Sequence, residues 1–164
     1  MLEDEEHDYG EDHWLLSYWQ KNIINGELAA DKVYENDYVL AFLDIAPINK
    51  GHVLVIPKEH HSSICSVSSI YHQHMLSSAA AIGRAIVRGC DYDGFNLHLA
   101  NGGCAGQAVP HAHIHVIPRV GTDGFHWNWR SLKYEEGEQS DIISKIHNKL
   151  KIDESQVHNI LNCS

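Results

Sequence analysis

A chain of 164 residues, 43% of them hydrophobic and 21% charged, has the size of one ordinary domain and is long enough to bury a core. Its 22 acidic side chains against 12 basic ones leave a net charge of −10, which argues against the basic groove that nucleic-acid binding requires. Seven of those acids lie in residues 1–13, where no Lys or Arg occurs, so the remainder is near balance and a small anionic substrate held by local donors is compatible with the total.

Cys65, Cys90, Cys104 and Cys163 are scattered, with no close pair to suggest a zinc knuckle or a disulfide scaffold, and a reducing compartment is expected. The acidic start lacks the basic region and apolar run of a signal peptide. No apolar stretch approaches the roughly 20 residues that span a bilayer. The expectation is a cytoplasmic protein, with nuclear residence also compatible.

Residues 1–11 are polar and charged around Gly10 and read as a disordered acidic tail, leaving residues 12–164 as a single domain. Trp14, Leu15, Tyr18 and Trp19 recur at helical spacing and predict a short amphipathic helix ending near Asn25-Gly26. From Val33 to Pro57 the texture changes to short runs rich in β-branched and aromatic residues, KVYE, YVLAFLD and HVLVIP, which predict three antiparallel strands. Ser68 or Ser69 then caps a long helix whose buried stripe is Met75, Leu76, Ala79, Ile82, Ile86 and Val87, and Gly89 stops it. FNLHLA and AHIHVIP predict two more strands joined by the loop NGGCAGQAVP. Ile142, Ile143, Ile146 and Leu150 mark another helix with Ser140 as its cap, and the Asp153 to Gln156 spacing predicts a short final helix. Strands, one long helix, further strands and terminal helices make an α+β domain with a mainly antiparallel sheet.

The chemistry concentrates in VPHAHIHVIPR, residues 109–119. Alternation along a strand puts His111, His113 and His115 on one face, with successive residues about 6.6–6.8 Å apart, and turns Ala112, Ile114 and Val116 into the core. That spacing is too long for direct bonds between successive rings but suits groups spread along a small ligand. A polar strand face is the bland alternative, and three histidines in register after a glycine-rich loop weigh against it. A metal site is the stronger alternative, since zinc takes three or four ligands and His52, His60, His61 or His98 could add to the row. The third reading is nucleophilic catalysis by neutral imidazole at phosphorus. The upstream loop from Gly102 to Gln107 serves that reading, because small residues let backbone N–H groups approach an anion and Gln107 adds a side-chain amide.

With these residues in view, GQAVPHAHIHVIPR resembles the signature of the histidine triad (HIT) hydrolases, and residues 24–64 resemble the amino-terminal half of the same family. The likeness covers roughly residues 20–120. It implies a HIT-like fold with a five-stranded, mainly antiparallel sheet, one long helix and additional terminal helices, and a homodimer in which two sheets join. It implies a purine nucleotide substrate with its α-phosphate over the triad. His113 is then the nucleophile that forms a nucleotidyl-histidine, His115 contacts phosphate and helps the leaving group depart, and His111 supports the row. His60 takes the position of a fourth, upstream histidine bordering the triad, with His61 beside it read as a surface residue. Asp44 matches the carboxylate that holds the ribose hydroxyls, with Phe42 and Ile45 enclosing the base. Gly106, Gln107 and Ala108 border the phosphate, and Asn101 lies one place from the family's ribose-phosphate amide.

The sequence also departs from the family pattern. Tyr18 and Lys21 occupy the places of a zinc-binding Cys-x-x-Cys, so no metal and no cofactor is expected. Ala108 replaces a hydroxyl-bearing residue. Beyond about residue 120 a carboxyl-terminal extension carrying Trp127 and Trp129 outruns the short Hint-type terminus, and it is here that choice of leaving group is least determined. The resemblance implies hydrolysis of purine nucleoside 5′-phosphoramidates such as adenylyl-lysine. Hydrolysis of dinucleoside polyphosphates, a nucleotide-binding interaction module with incidental turnover, and a histidine metal site are the alternatives. No membrane or nucleic-acid partner is expected.

Overall fold

The computed structural model describes Ile23, residues 30–126 and the backbone of residues 131–161, with side chains to residue 150. The expected helix around Trp14 to Trp19, the acidic tail and the Trp127 and Trp129 pair lie outside the described residues. The chain forms two compact units, Met1–Gly124 and Phe125–Ser164. No helix among the described residues is long and apolar enough to cross a membrane.

The first unit is a five-stranded antiparallel sheet of β1 (Lys32–Glu35), β2 (Val39–Leu43), β3 (Val53–Pro57), β4 (Gly94–His98) and β5 (Ile114–Arg119), in the spatial order β1-β2-β3-β5-β4. Helix α1 (Ser69–Gly89) crosses between β3 and β4 in sequence and packs on one face of the sheet. β2 and β3 are uninterrupted apolar runs because both faces of the sheet's middle are covered. Their odd-numbered residues Val39, Ala41, Val53 and Val55 meet Met75, Ala79, Ile82 and Ile86 of α1. Their even-numbered residues Leu40, Phe42, Leu54 and Ile56 join Ile23 and Val109 in a second cluster on the opposite face. The helix therefore stabilises the sheet from one side and leaves the other for a site.

Leu76, read as part of the helix stripe, is 58% exposed; Ser78 and Gly83 are buried in α1 instead. Gly83 is buried because an added Cβ there would lie 2.5 Å from the Phe95 ring, so the small residue lets β4 come close to the helix. The helix runs through Gly89 to a cap at Cys90, and Asp91 takes the left-handed turn.

The β2–β3 turn is clasped to the end of β5. Asn49 Nδ2 donates to Pro118 O at 2.8 Å and to Asp123 Oδ2 at 2.9 Å, and Asp123 receives both Nε and Nη2 of Arg119 at 2.6 and 2.8 Å. Gly51 holds φ +85° in this turn, under the Pro118 ring.

In the second unit α2 (Glu138–Leu161) is one continuous helix of 24 residues, where the sequence pattern predicted two. No Gly or Pro interrupts residues 138–161, so Asp153 continues the helix rather than capping a new one. At its start Glu138 Oε2 accepts Glu135 N at 2.9 Å, whereas Ser140, expected as the cap, lies inside the helix and its Oγ donates to Gly137 O at 2.7 Å.

Candidate active site

β5 opens at Ile114, so of the three histidines only His115 lies on a strand; His111 and His113 occupy the segment leading into it. The alternation survives all the same, since Ala112, Ile114 and Val116 are buried in the helix-side core. Ala112 N donates to His61 O at 2.6 Å, which ties the approach segment to the stretch that follows β3 before the ladder begins.

The three rings are not equivalent. His111 is fully buried and does not reach the ligand cavity, so the expected row along a ligand is reduced to two residues. Its Nε2 donates to Pro57 O at 2.9 Å, because a carbonyl can only accept, and its Nδ1 meets His60 Nδ1 at 3.1 Å. His60 borders the triad in this way. His61 is packed rather than superficial: its ring meets the edge of Tyr71, and its Nε2 is buried with no hydrogen-bond partner among the described residues.

His113 directs Nδ1 to His111 O at 2.7 Å. The carbonyl requires the proton on Nδ1, so in the neutral ring the lone pair resides on Nε2. His115 lies beside it with ring centroids 4.8 Å apart. Its Nδ1 is 2.9 Å from His52 Nε2, and His52 Nδ1 is 3.3 Å from Ile48 N and 3.6 Å from Asp44 Oδ2. With Ile48 N–H donating to Nδ1, His52 carries its proton on Nε2 and gives it to His115, whose own proton then sits on Nε2. His98 pairs with His115 across β4 and β5 on the same face, 5.7 Å between centroids.

Burial favours the neutral form of His111, His113, His115, His52 and His60. His111 and His115 are both pushed down to about 4, with desolvation the largest cause and neighbouring histidines adding to it. The Pro57 carbonyl works against the shift at His111, and Asp44 works against it at His115. His113, His52 and His60 are also held below the ordinary histidine value, again chiefly by burial.

His113 and His115 line a cavity of about 330 Å³. Phe42, Leu54, Val109 and Ile23 make its apolar wall, and Ile45 stands at its lip with 92% of its surface exposed. Asp44 lines the cavity while its Oδ1 accepts Ala46 N at 2.8 Å, so the residue is both a turn anchor and a site carboxylate. Gly106, at φ +88°, and Ala108 also line the cavity.

Two expected site residues are committed elsewhere. Gln107 Nε2 donates to Ser62 O at 2.7 Å and to Val109 O at 3.0 Å, and Oε1 accepts Gly102 N at 2.8 Å. Its amide thus staples the glycine loop instead of lining the cavity. Asn101 Oδ1 takes Ser63 Oγ and Ile64 N at 3.0 and 2.9 Å, outside the cavity. From sequence His52 is a candidate metal ligand only, and Asp31, Leu54 and Val109 give no sign of lining a site. Those three read as ordinary strand or loop residues until the sheet brings them together. Asp44, His52 and His115 also place one donor atom each within 4.8 Å of one another, so a metal alternative would use this trio rather than the triad.

Comparison with known proteins agrees with this architecture. The HIT domain model matches residues 25–122. A HIT family protein of Bacillus anthracis, solved as a crystal structure, superposes with a TM-score of 0.72 at 42% identity, covering 77% of this chain and 92% of that one. An adenosine 5′-monophosphoramidase of Schizosaccharomyces pombe is 34% identical over 130 residues, 79% of this chain and 95% of the relative. An adenylylsulfatase of Arabidopsis thaliana is 37% identical over 132 residues, 78% of this chain and 66% of the relative. The fold, the triad and the extent of these matches make the chain a member of the HIT family.

Proposed function

We propose that the protein is a nucleotide hydrolase that cleaves purine nucleoside 5′-phosphoramidates at the α-phosphate through a covalent intermediate on His113. The carrying observation is the 2.7 Å bond from His113 Nδ1 to His111 O, which puts the lone pair of a neutral imidazole on Nε2, beside the cavity. Relatives that bear phosphoramidase and adenylylsulfatase names support the reaction class.

In the first step His113 Nε2 forms a bond to phosphorus as the bond to the leaving nitrogen breaks. A bound phosphate anion raises the proton affinity of His115. As an imidazolium, His115 gives its Nε2 proton to the departing amine and is left neutral. A cationic His115 donates its Nδ1–H to His52 Nε2, which requires His52 to shift its own proton to Nδ1 and exchange the 3.3 Å contact from Ile48 N for Asp44 Oδ2 at 3.6 Å. The His111 carbonyl supports the positive charge on nucleotidyl-His113. Water then attacks phosphorus and its proton passes to His115, while the P–N bond electrons return to His113 Nε2. Nucleoside monophosphate is released.

Asp44 holds the ribose hydroxyls, and Phe42, Ile45 and Leu54 take the base. The chain acts as a homodimer, a family-based inference that sedimentation analysis tests. A dinucleoside polyphosphate would be attacked at the same phosphorus with a different leaving group.

The test is rapid quenching with a phosphorus-labelled phosphoramidate. Acid-labile label on wild-type protein, absent from His113→Ala while nucleotide binding persists, is the expected result. Undiminished turnover in His113→Ala would overturn the mechanism. Binding without His113-dependent turnover would favour the interaction-module alternative.

A further inference from the structure

The mechanism above uses three of the four polar side chains among the described residues that line the cavity: Asp44, His113 and His115. The fourth is Asp31. It stands where the wall is otherwise apolar, next to Ala30, which packs against the Ile23, Phe42, Leu54 and Val109 cluster. Its backbone is held firmly. Ala30 O accepts Lys32 N at 2.8 Å, closing a tight turn with Asp31 at its apex, and Asp31 O accepts Leu43 N at 3.0 Å. No hydrogen bond or ion pair engages its carboxylate among the described residues. An anchored, exposed carboxylate lining a largely apolar cavity, without such a partner, is a pair of acceptors available to a ligand bound there.

With phosphate chemistry assigned to His113 and ribose to Asp44, the lining left for the base is the apolar wall and Asp31, whose backbone pairs with Leu43 beside Asp44. A carboxylate only accepts, and its two oxygens match two adjacent donors on one edge of a flat ring. Guanine presents N1–H and the 2-amino group side by side. Adenine presents its 6-amino donor next to the N1 lone pair, so one carboxylate oxygen would face a donor and the other an acceptor. The same side chain therefore attracts one purine and repels the other.

We propose that Asp31 selects the base, making the chain a hydrolase of guanosine 5′-phosphoramidates in preference to adenosine ones. This rests on the reading of the site given above and sharpens it to a substrate class. The experiment compares kcat/KM for guanosine, inosine and adenosine phosphoramidates that share one amine leaving group, in wild-type protein and in Asp31→Ala and Asp31→Asn. Asp31 is exposed, so neither substitution removes a packed side chain.

Wild-type protein is expected to favour guanosine over adenosine by about tenfold or more, the discrimination of one good paired contact. Inosine, which lacks the 2-amino group, falls between them. The ratio collapses toward one in Asp31→Ala and tips toward adenosine in Asp31→Asn, whose amide offers a donor and an acceptor together. A wild-type ratio near one, or a guanosine preference that survives in Asp31→Ala, overturns the proposal. Should no base show His113-dependent turnover, the hydrolase reading fails separately. Calorimetric titration with GMP and AMP then decides the matter: a GMP preference lost in Asp31→Ala supports selection by Asp31, and equal affinities reject it.

Discussion

His52 Nε2 lies 2.9 Å from His115 Nδ1, although 63 positions separate the two residues in the chain. In the proposed first step the contact takes up the Nδ1–H of a cationic His115 and leaves its Nε2–H for the leaving group. His52→Asn is therefore expected to lower kcat by about 10²-fold, within the usual range for lost general acid–base support. The loss should be steep for alkylamine leaving groups and shallow for weakly basic anilines, which depart with less help. A series of phosphoramidates graded by amine basicity measures this. An equal loss across the series would assign His52 a packing role only.

Acid should destabilise the fold through His111. Its folded value of about 4 lies below the ordinary 6.5, so the unfolded chain binds the extra proton between those limits. The stability linked to neutral His111 is complete above about pH 6.5 and drains away as pH falls toward 4, by about 2–3 kcal/mol. Urea unfolding across this range should show the decline. In His111→Asn the pH slope should be shallower, even though the variant starts from lower stability.

Gly83→Ala tests the approach of α1 to β4. The added methyl would sit 2.5 Å from the Phe95 ring. Alanine gains helix propensity by about 1 kcal/mol, while overpacking costs about 1–3 kcal/mol. A net loss of stability is expected, read as a lower denaturant midpoint. The double variant Gly83→Ala with Phe95→Leu should regain part of it.

Gln107→Glu keeps the size of the loop staple and removes both donors. Its carboxylate would face the carbonyls of Ser62 and Val109, which now accept Nε2 at 2.7 and 3.0 Å. A loss of about 1–3 kcal/mol is expected from the unmet groups. KM should rise as well, since added negative charge repels phosphate. Gln107→Met would restore neutrality without the hydrogen bonds and should recover KM more than stability.

Chelation separates the proposed chemistry from a metal mechanism. Dialysis against EDTA should leave turnover unchanged, because attack and protonation are both assigned to imidazoles. Loss of activity restored by zinc would redirect attention to Asp44, His52 and His115, whose donor atoms lie within 4.8 Å of one another.

The strands were legible because β2 and β3 are unbroken apolar runs, and the triad because its spacing is periodic and local. His60 was legible through resemblance, and its 3.1 Å contact with His111 gives it a physical role. His52 was not legible as a partner of His115. At the head of an ordinary apolar strand it gives no local sign of the residue that pairs beside it. From sequence Gln107 and Asn101 are candidate ligand contacts, yet amides serve loops as readily as anions, and only tertiary geometry shows that Gln107 spends its donors and Asn101 its acceptor within the loops. The helix stripe failed at Leu76 because hydrophobicity marks a candidate for burial without showing which side the sheet occupies. α2 was divided in two because a capping pattern can occur inside a helix that nothing interrupts.

The low proton affinity of His113 also gives the protein an unusual chemical signature. Acylating reagents such as diethyl pyrocarbonate consume unprotonated imidazole and spare imidazolium. In mildly acidic buffer ordinary surface histidines are cations. Burial holds both His113 and His115 below the ordinary histidine value beside the cavity, but only His113, whose Nδ1–H is bonded to His111 O, presents an unprotonated Nε2 to the reagent. One carbethoxylation at this residue should therefore outrun the others as pH falls, and occupation of the cavity by a nucleotide should slow it.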